Sequence, residues 1–205
     1  MNIILFDTPE VRENLLPLSF TRPVADFRVG ITTIREKWEK VVPGSYSYLT
    51  VGYLSEKYPA AVDAGGDNLF VAGHVVPDYS DAFKDAVTSL GGNEALFCNG
   101  TLVAFHGTAD ALRNSEFAAR KEWNGSLTEI NYVYDVFLNN GVQIEKDFAM
   151  LDLSDNCALS PSNTLIGDAK DADGRQRIYI APGAVVEGAI INVKNGPVYI
   201  GPDAE

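Results

Sequence analysis

Near residue 155 the sequence changes its period. Upstream, strand-like and helix-like segments alternate. Downstream, helical spacing disappears and an aliphatic residue recurs six positions on, Ile180 then Val186, each followed by a small or acidic residue. A second small or aliphatic residue falls four positions after each repeat start, at Ala184, Ile190 and Ala204. Leu165-Ile166-Gly167-Asp168 and Ile200-Gly201-Pro202-Asp203 belong to the same stretch. This is the pattern of a hexapeptide parallel β-helix, in which each six-residue unit forms one side of a coil and turns its aliphatic residue inward. Ile180, Val186 and Ile190 are the residues expected inside. The plainer alternative is an ordinary run of strands and Gly/Pro-rich turns. Such coils need about three stacked repeats and a polar cap. Here the repeat runs to Glu205 without one. The expectation is therefore that residues 1–205 are the front of a longer protein, with a first domain at 1–155 and a linker and first coils at 156–205.

The first domain reads as α/β. Residues 2–6 (NIILF) are continuously apolar, as in a buried strand. Residues 7–30 contain prolines and show no clean period. They read as a long loop that still has Leu15, Leu16, Leu18, Phe20, Val24 and Phe27 to bury. Ile31, Ile34, Trp38 and Val41 predict a helix over 31–42, stopped by Pro43-Gly44. Strands are predicted at 46–51 and 68–72. A helix over 78–90 has Asp78 or Ser80 to cap it. Residues 94–98 and 101–105 flank Asn99-Gly100, a strong hairpin signal. Further helices are predicted at 108–121 and 130–138, the last stopped by Gly141, followed by short strands at 142–144 and 148–153. Strands alternating with helices imply a mostly parallel sheet.

Charge narrows the function. The formal net charge is −12, which excludes a general nucleic-acid binder or an anionic-membrane binder. Residues 1–40 stand apart. They are neutral, with Arg12, Arg22, Arg28, Arg35, Lys37 and Lys40 balancing six acidic residues. A small anionic ligand held by local arginines fits this distribution. Surface arginines are also common, and solvated charge is the plainer reading. Cys98 and Cys157 form neither a metal pattern nor a disulfide framework, which suits a reducing, cytoplasmic setting. No apolar run is long enough to span a membrane.

The segment Leu15-Leu16-Pro17-Leu18-Ser19-Phe20-Thr21-Arg22-Pro23-Val24-Ala25-Asp26, the following Arg28-Val29-Gly30-Ile31, and the terminal Asn195-Gly196-Pro197-Val198-Tyr199-Ile200-Gly201 carry a resemblance. Together with the α/β-then-hexapeptide order, they resemble a divergent bacterial branch of the sugar-1-phosphate nucleotidyltransferases with an appended left-handed β-helix. The type case is the bifunctional N-acetylglucosamine-1-phosphate uridylyltransferase/glucosamine-1-phosphate acetyltransferase. The resemblance covers essentially the whole chain. It implies a Rossmann-like nucleotide-diphospho-sugar transferase domain, a nucleoside triphosphate and a sugar-1-phosphate as substrates, and a role in cell-envelope polysaccharide synthesis. It also implies a homotrimer for the longer protein and acetyl-CoA for its helix. Residues 1–205 alone are expected to be a monomer or weak dimer.

Carried over residue by residue, Arg12 stands for the arginine of the family's glycine-rich loop. Arg22, before Pro23, stands for its lysine. Both are the expected catalytic phosphate clamps, and Arg28, His74 and Asp135 are expected substrate contacts. The family implies Mg²⁺, for which Asp78 is the candidate ligand. Two departures matter. The stretch Asp7-Thr8-Pro9-Glu10-Val11-Arg12 has no glycine, and Pro9 removes an amide donor. His74 occupies the position of the metal-binding carboxylate, and Mg²⁺ prefers oxygen ligands. Three functions follow: a nucleotidyltransferase, the front of an acyltransferase, or a degenerate binding and assembly module.

Overall fold

The computed structural model describes residues 1–205, which form two compact units, Met1–Leu138 and Asn139–Glu205. The first unit is built on a six-stranded sheet. Its strands are β1 (Asn2–Phe6), β2 (Ser45–Leu49), β3 (Asn68–Ala72), β5 (Glu94–Cys98), β6 (Thr101–Gly107) and β7 (Ala119–Glu122), in the order β2-β1-β3-β6-β5-β7. A small ribbon pairs β4 (Val75–Val76) with β8 (Thr128–Glu129). Strand β1 runs parallel to both β2 and β3, and β7 is parallel to β5. Only β6 runs against its neighbours β3 and β5. This is the mixed, mostly parallel α/β sheet that the alternating pattern predicts.

Apolar β1 and β3 lie at the centre because both of their faces are covered. Ile3, Ile4, Phe70 and Val71 are fully buried. Helix α2 (Ile34–Val41) begins at Thr33. The Thr33 hydroxyl accepts from the Glu36 amide, and the Glu36 carboxylate accepts from the Thr33 amide. Its Trp38 is wholly buried, packs on Phe83 of α3 (Asp81–Thr88), and donates from Nε1 to the Val75 carbonyl at 2.9 Å. Between the two cap candidates for α3, the structure selects Ser80. Its hydroxyl accepts from the Phe83 amide. The hairpin between β5 and β6 turns at Asn99 and Gly100, both left-handed (φ 49° and 87°), as a type I′ turn demands.

Three expectations are corrected. Residues 7–30 are not a free loop. They form helix α1 (Pro9–Asn14) and two 3-10 turns, Leu18–Phe20 and Val24–Asp26. Pro9 sits in the first helical turn, where its missing amide is harmless. The helix expected over 108–121 stops early. Helix α4 (Ala109–Asn114) ends at Ser115 in a left-handed conformation, and the chain then supplies β7. There the Arg120 guanidinium lies over the rings of Phe97 and Phe117. Gly141 does not stop a helix either. Helix α5 runs from Val133 to Met150, replacing the strands expected at 142–144 and 148–153. One glycine costs a helix only about 1 kcal/mol, and the burial of Phe148 on the same helix outweighs it.

In the second unit, β9 (Thr164–Ile166) pairs parallel with β11 (Ile190–Asn192), and β10 (Ile178–Ile180) pairs parallel with β12 (Val198–Ile200). Ile178, Ile180, Ile191 and Val193 form its core, with Leu165, Ala184 and Val186 against them. Ile180 and Val186 thus face inward. Ile190 does not: it is 74% exposed, and Ile191 takes its place. Neighbouring residues on a strand face opposite sides, so a slip of one position reverses them. Asn156 and Asn163 stitch this unit together. The Asn156 side chain donates to the Ile178 carbonyl and accepts from the Ile180 amide. Asn163 does the same with the Val186 carbonyl and the Ala189 amide. No helix in the chain is long and apolar enough to cross a membrane.

Candidate functional site

The carboxyl ends of parallel strands are where open α/β folds gather their chemistry, because loops splay apart there. Here those ends are Phe6 of β1, Leu49 of β2 and Ala72 of β3. Asp7 ties the loops leaving them together. Its carboxylate accepts from the Thr50 hydroxyl (2.5 Å), just past β2, and from the Val24 amide (3.1 Å) in the second 3-10 turn. Burial pushes the Asp7 carboxyl above its usual pKa, against these hydrogen bonds and the nearby Arg12. Gly73 follows β3 in close contact. A Cβ there would meet Asp7 Oδ1 and the Phe6 carbonyl, each at 3.2 Å.

Arg12 belongs to this lock. It is only 6% exposed. Nη1 lies 3.8 Å from Asp7 Oδ2 and makes no hydrogen bond, while Nη2 donates to the Tyr53 hydroxyl. Tyr53 in turn donates to the Phe20 carbonyl at 2.8 Å, and Ser19 donates to the carbonyl of Arg12 at 2.7 Å. The arginine therefore pins the segment around Phe20 to α1. Arg22 is placed differently. It is exposed and makes no hydrogen bond or ion pair. It borders a recess of about 310 Å³ together with Thr21, Phe27 and Arg28. Arg28 is also exposed and donates to the Ile31 carbonyl. So the structure brings Arg22 and Arg28 to one wall and leaves Arg12 out of it. Arg22 also borders a neighbouring cleft of about 490 Å³. There Tyr48 donates to Asp26 and accepts from Arg35 (2.9 Å), and Arg35 also pairs with Glu39.

His74 lies in a different place. It is 4% exposed and borders a cavity of about 440 Å³ with Phe6, Thr8, Glu10, Thr101, Glu129 and Tyr132. No lysine or arginine lines that cavity. Burial lowers the imidazole pKa to about 4, against a weaker opposing pull from Glu129, so the ring is neutral at pH 7. His74 Nδ1 and Thr8 Oγ1 are both buried without a hydrogen-bond partner. The two remaining carboxylates act locally. Asp78 accepts from the Ser80 amide at 2.8 Å, ahead of α3. Asp135 accepts from the amides of Asn131 and Tyr132 at 2.9 and 2.8 Å, at the start of α5.

These donors do not suit Mg²⁺. No group of three or more His, Cys, Asp or Glu side chains is positioned to hold a metal ion. A neutral buried imidazole is a poor ligand for a hard cation that favours carboxylates and water. Sequence reasoning did not single out Tyr53 and Glu129, and it took Asp7 and Thr8 only as part of the glycine-free stretch, with no role of their own. The legible signal for Asp7 and Thr8 is their position, immediately past the first apolar strand.

A family model described as sugar nucleotidyl transferase matches residues 3–155. No curated protein matches the chain.

Proposed function

The chain belongs to the sugar nucleotidyl transferase family, and on that premise we propose that it joins a nucleoside triphosphate to a sugar-1-phosphate, releasing pyrophosphate. A phosphate oxygen of the sugar-1-phosphate forms a bond to the α-phosphorus. The bond from that phosphorus to the bridging oxygen breaks, and pyrophosphate carries the electron pair away. Such a reaction needs alignment of the two phosphates and neutralisation of their charge. The observation that carries this reading is Arg22, an unpaired, exposed guanidinium beside Arg28 within the family-matched region. Arg22 and Arg28 hold phosphate oxygens through charge-assisted hydrogen bonds. Arg12 acts at one remove, holding the Phe20 segment and so the course of the chain into Arg22.

For the second unit we read a left-handed hexapeptide β-helix of the kind that assembles as a trimer and supports acyl transfer from acetyl-CoA in a longer protein. Its support is the parallel pairing of β9 with β11 and β10 with β12 around an aliphatic core. A second reading of the first unit is a binding module without turnover. The direct passage from Thr8 into the proline-started α1, in place of a glycine-rich phosphate cradle, favours it.

The deciding experiment couples pyrophosphate detection to a panel of UTP, dTTP, CTP, ATP and GTP against several sugar-1-phosphates, with and without Mg²⁺. Pyrophosphate release with one pair supports the transferase. Nucleotide binding by calorimetry with no release from any pair supports the binding module and overturns it.

A further inference from the structure

The chain holds four Asn-Gly pairs, at 99–100, 124–125, 140–141 and 195–196. In such a pair the side chain and the backbone can react with each other. Glycine has no Cβ to shield its amide nitrogen or to restrict the approach. That nitrogen can therefore reach the side-chain carbonyl carbon of the asparagine, provided that the backbone can rotate and both groups are unbound. In an unfolded chain the four pairs meet this condition alike. The fold separates them.

Three of the pairs are held. Asn99 and Gly100 are the two central residues of the β5–β6 turn, and the strands pair at once on either side, Cys98 with Thr101. The Asn99 amide also donates to Glu122 at 2.9 Å. Asn140 and Gly141 lie inside α5, where the glycine amide is committed to the helical ladder. At the third pair the Gly125 carbonyl accepts from Cys98 Sγ at 3.3 Å. A Cβ on Gly125 would stand 2.6 Å from the Trp123 indole nitrogen, so the indole walls off this glycine.

Asn195 and Gly196 are held by nothing comparable. They lie in the connection between β11 and β12, and Asn195 is exposed. The Asn195 side chain and the Gly196 amide make no hydrogen bond. A Cβ on Gly196 would find one atom within 4 Å, Glu145 Oε1 at 3.9 Å. The backbone there has room to turn.

We propose that Asn195 is a self-modification site, at which the folded chain converts its own asparagine to aspartate and isoaspartate. The Gly196 nitrogen attacks the Asn195 side-chain carbonyl carbon. A carbon–nitrogen bond forms, the bond to the side-chain nitrogen breaks, and that nitrogen leaves as ammonia with the proton of the Gly196 amide. The product is a five-membered succinimide. Water then opens it at either carbonyl. One route leaves aspartate. The other leaves isoaspartate, in which the main chain runs through the former side chain and is one methylene longer. Water is the only co-reactant, and nothing is oxidised or reduced. Either product places a new carboxylate one residue from Lys194, whose carbonyl lies 3.5 Å from the Arg177 guanidinium. Pro197, two residues on, borders the groove of about 610 Å³ with Arg175 and Arg177. The modification thus adds negative charge and main-chain length close to one wall of that groove.

The test incubates the whole chain at pH 8 and 37 °C, folded and in urea, and follows all four pairs by peptide mass spectrometry. Fragmentation that tells isoaspartate from aspartate identifies the route. A single hydrogen bond that must open first slows a reaction up to about tenfold. In the folded chain, Asn195 should therefore convert within about threefold of its rate in urea, while Asn99, Asn124 and Asn140 slow about tenfold or more. Isoaspartate should appear at position 195. Gly196→Ala fits the open space and should slow the conversion at Asn195 about tenfold, leaving the other three pairs and Tm unchanged. Protection of Asn195 equal to that of the other pairs overturns the proposal. So does faster conversion at another pair, an unchanged rate in Gly196→Ala, or aspartate without isoaspartate.

Discussion

Acid should destabilise this fold through His74, by an amount that the structure sets. The ring is buried and its pKa in the folded state is about 4, against an ordinary value of 6.5. As pH falls through 6.5, the unfolded chain takes up a proton that the folded chain refuses. Stability is therefore lost progressively down to about pH 4 and is unaffected by this group above neutrality. With 1.36 kcal/mol per pKa unit, the loss reaches about 2 kcal/mol at pH 5. His74→Asn removes the titration, and comparing it with the parent cancels the many carboxylates common to both. Urea unfolding followed by tryptophan fluorescence is the assay. Trp38 is a suitable reporter, being fully buried and bonded to the carbonyl of Val75, the residue after His74. The stability difference between parent and variant should shift by about 2 kcal/mol between pH 7.5 and pH 5, at the parent's expense. Parallel pH curves would show that the imidazole reaches water or a partner. A shift in the opposite sense would mean that Glu129 outweighs burial and holds the ring protonated.

Arg22→Ala should weaken nucleotide binding by calorimetry about tenfold or more while leaving Tm within about a degree, because the side chain is exposed and unpaired. Arg22→Lys should recover part of the loss, the exposed Arg175→Ala should change nothing, and unchanged affinity in Arg22→Ala would end the phosphate assignment. Arg12→Ala should behave in the opposite way. Removing it takes the counter-charge from the buried Asp7 carboxylate, which keeps only its hydrogen bonds from Thr50 and Val24, and strips the Tyr53 hydroxyl of its donor, so urea unfolding should show a loss of about 3 kcal/mol, and a loss below 1 kcal/mol would contradict the lock. Asn163→Ala strips partners from the Val186 carbonyl and the Ala189 amide and should cost the second unit about 2 kcal/mol, read by hydrogen exchange at Ala189.

The parts of the fold legible in the sequence were those with strong local periodicity. Continuous apolar character marks β1 and β3 because both are buried on two faces, and Asn99-Gly100 marks its hairpin through backbone sterics alone. Local pattern misleads where distant contacts outweigh local preference. The segment around Phe20 looks irregular because its order comes from side chains outside it: Asp7 and Arg12 before it, and Tyr53, 33 residues past Phe20. Gly141 looks like a stop because a sequence window does not show the burial of Phe148 further along the same helix. Ile190 and Ile191 are chemically alike, so spacing alone was a poor guide to which one faces inward. At the candidate site, Arg22, Arg28 and His74 could all be named from the sequence. Their division between a cationic recess and a cation-free cavity could not, since it depends on how loops from three strands fold together.

The second unit's strand pairing has a consequence for how such a chain can change. Thr164 meets Ile190, 26 residues on, whereas Ile178 meets Val198, only 20 residues on. Much of the longer circuit lies in the excursion around the Lys170–Gln176 bridge. Closing a 26-residue loop rather than a 20-residue one costs only about 0.2 kcal/mol of chain entropy. That is small beside the burial of one core isoleucine such as Ile180. The connections between these paired strands can thus take up or lose residues almost without penalty, provided the inward aliphatics keep their register. Asp171, Arg175 and Gln176 of this excursion line one side of a groove of about 610 Å³ in the same unit. A change of length in this excursion therefore alters that wall of the groove at a small entropic cost to the strand pairs.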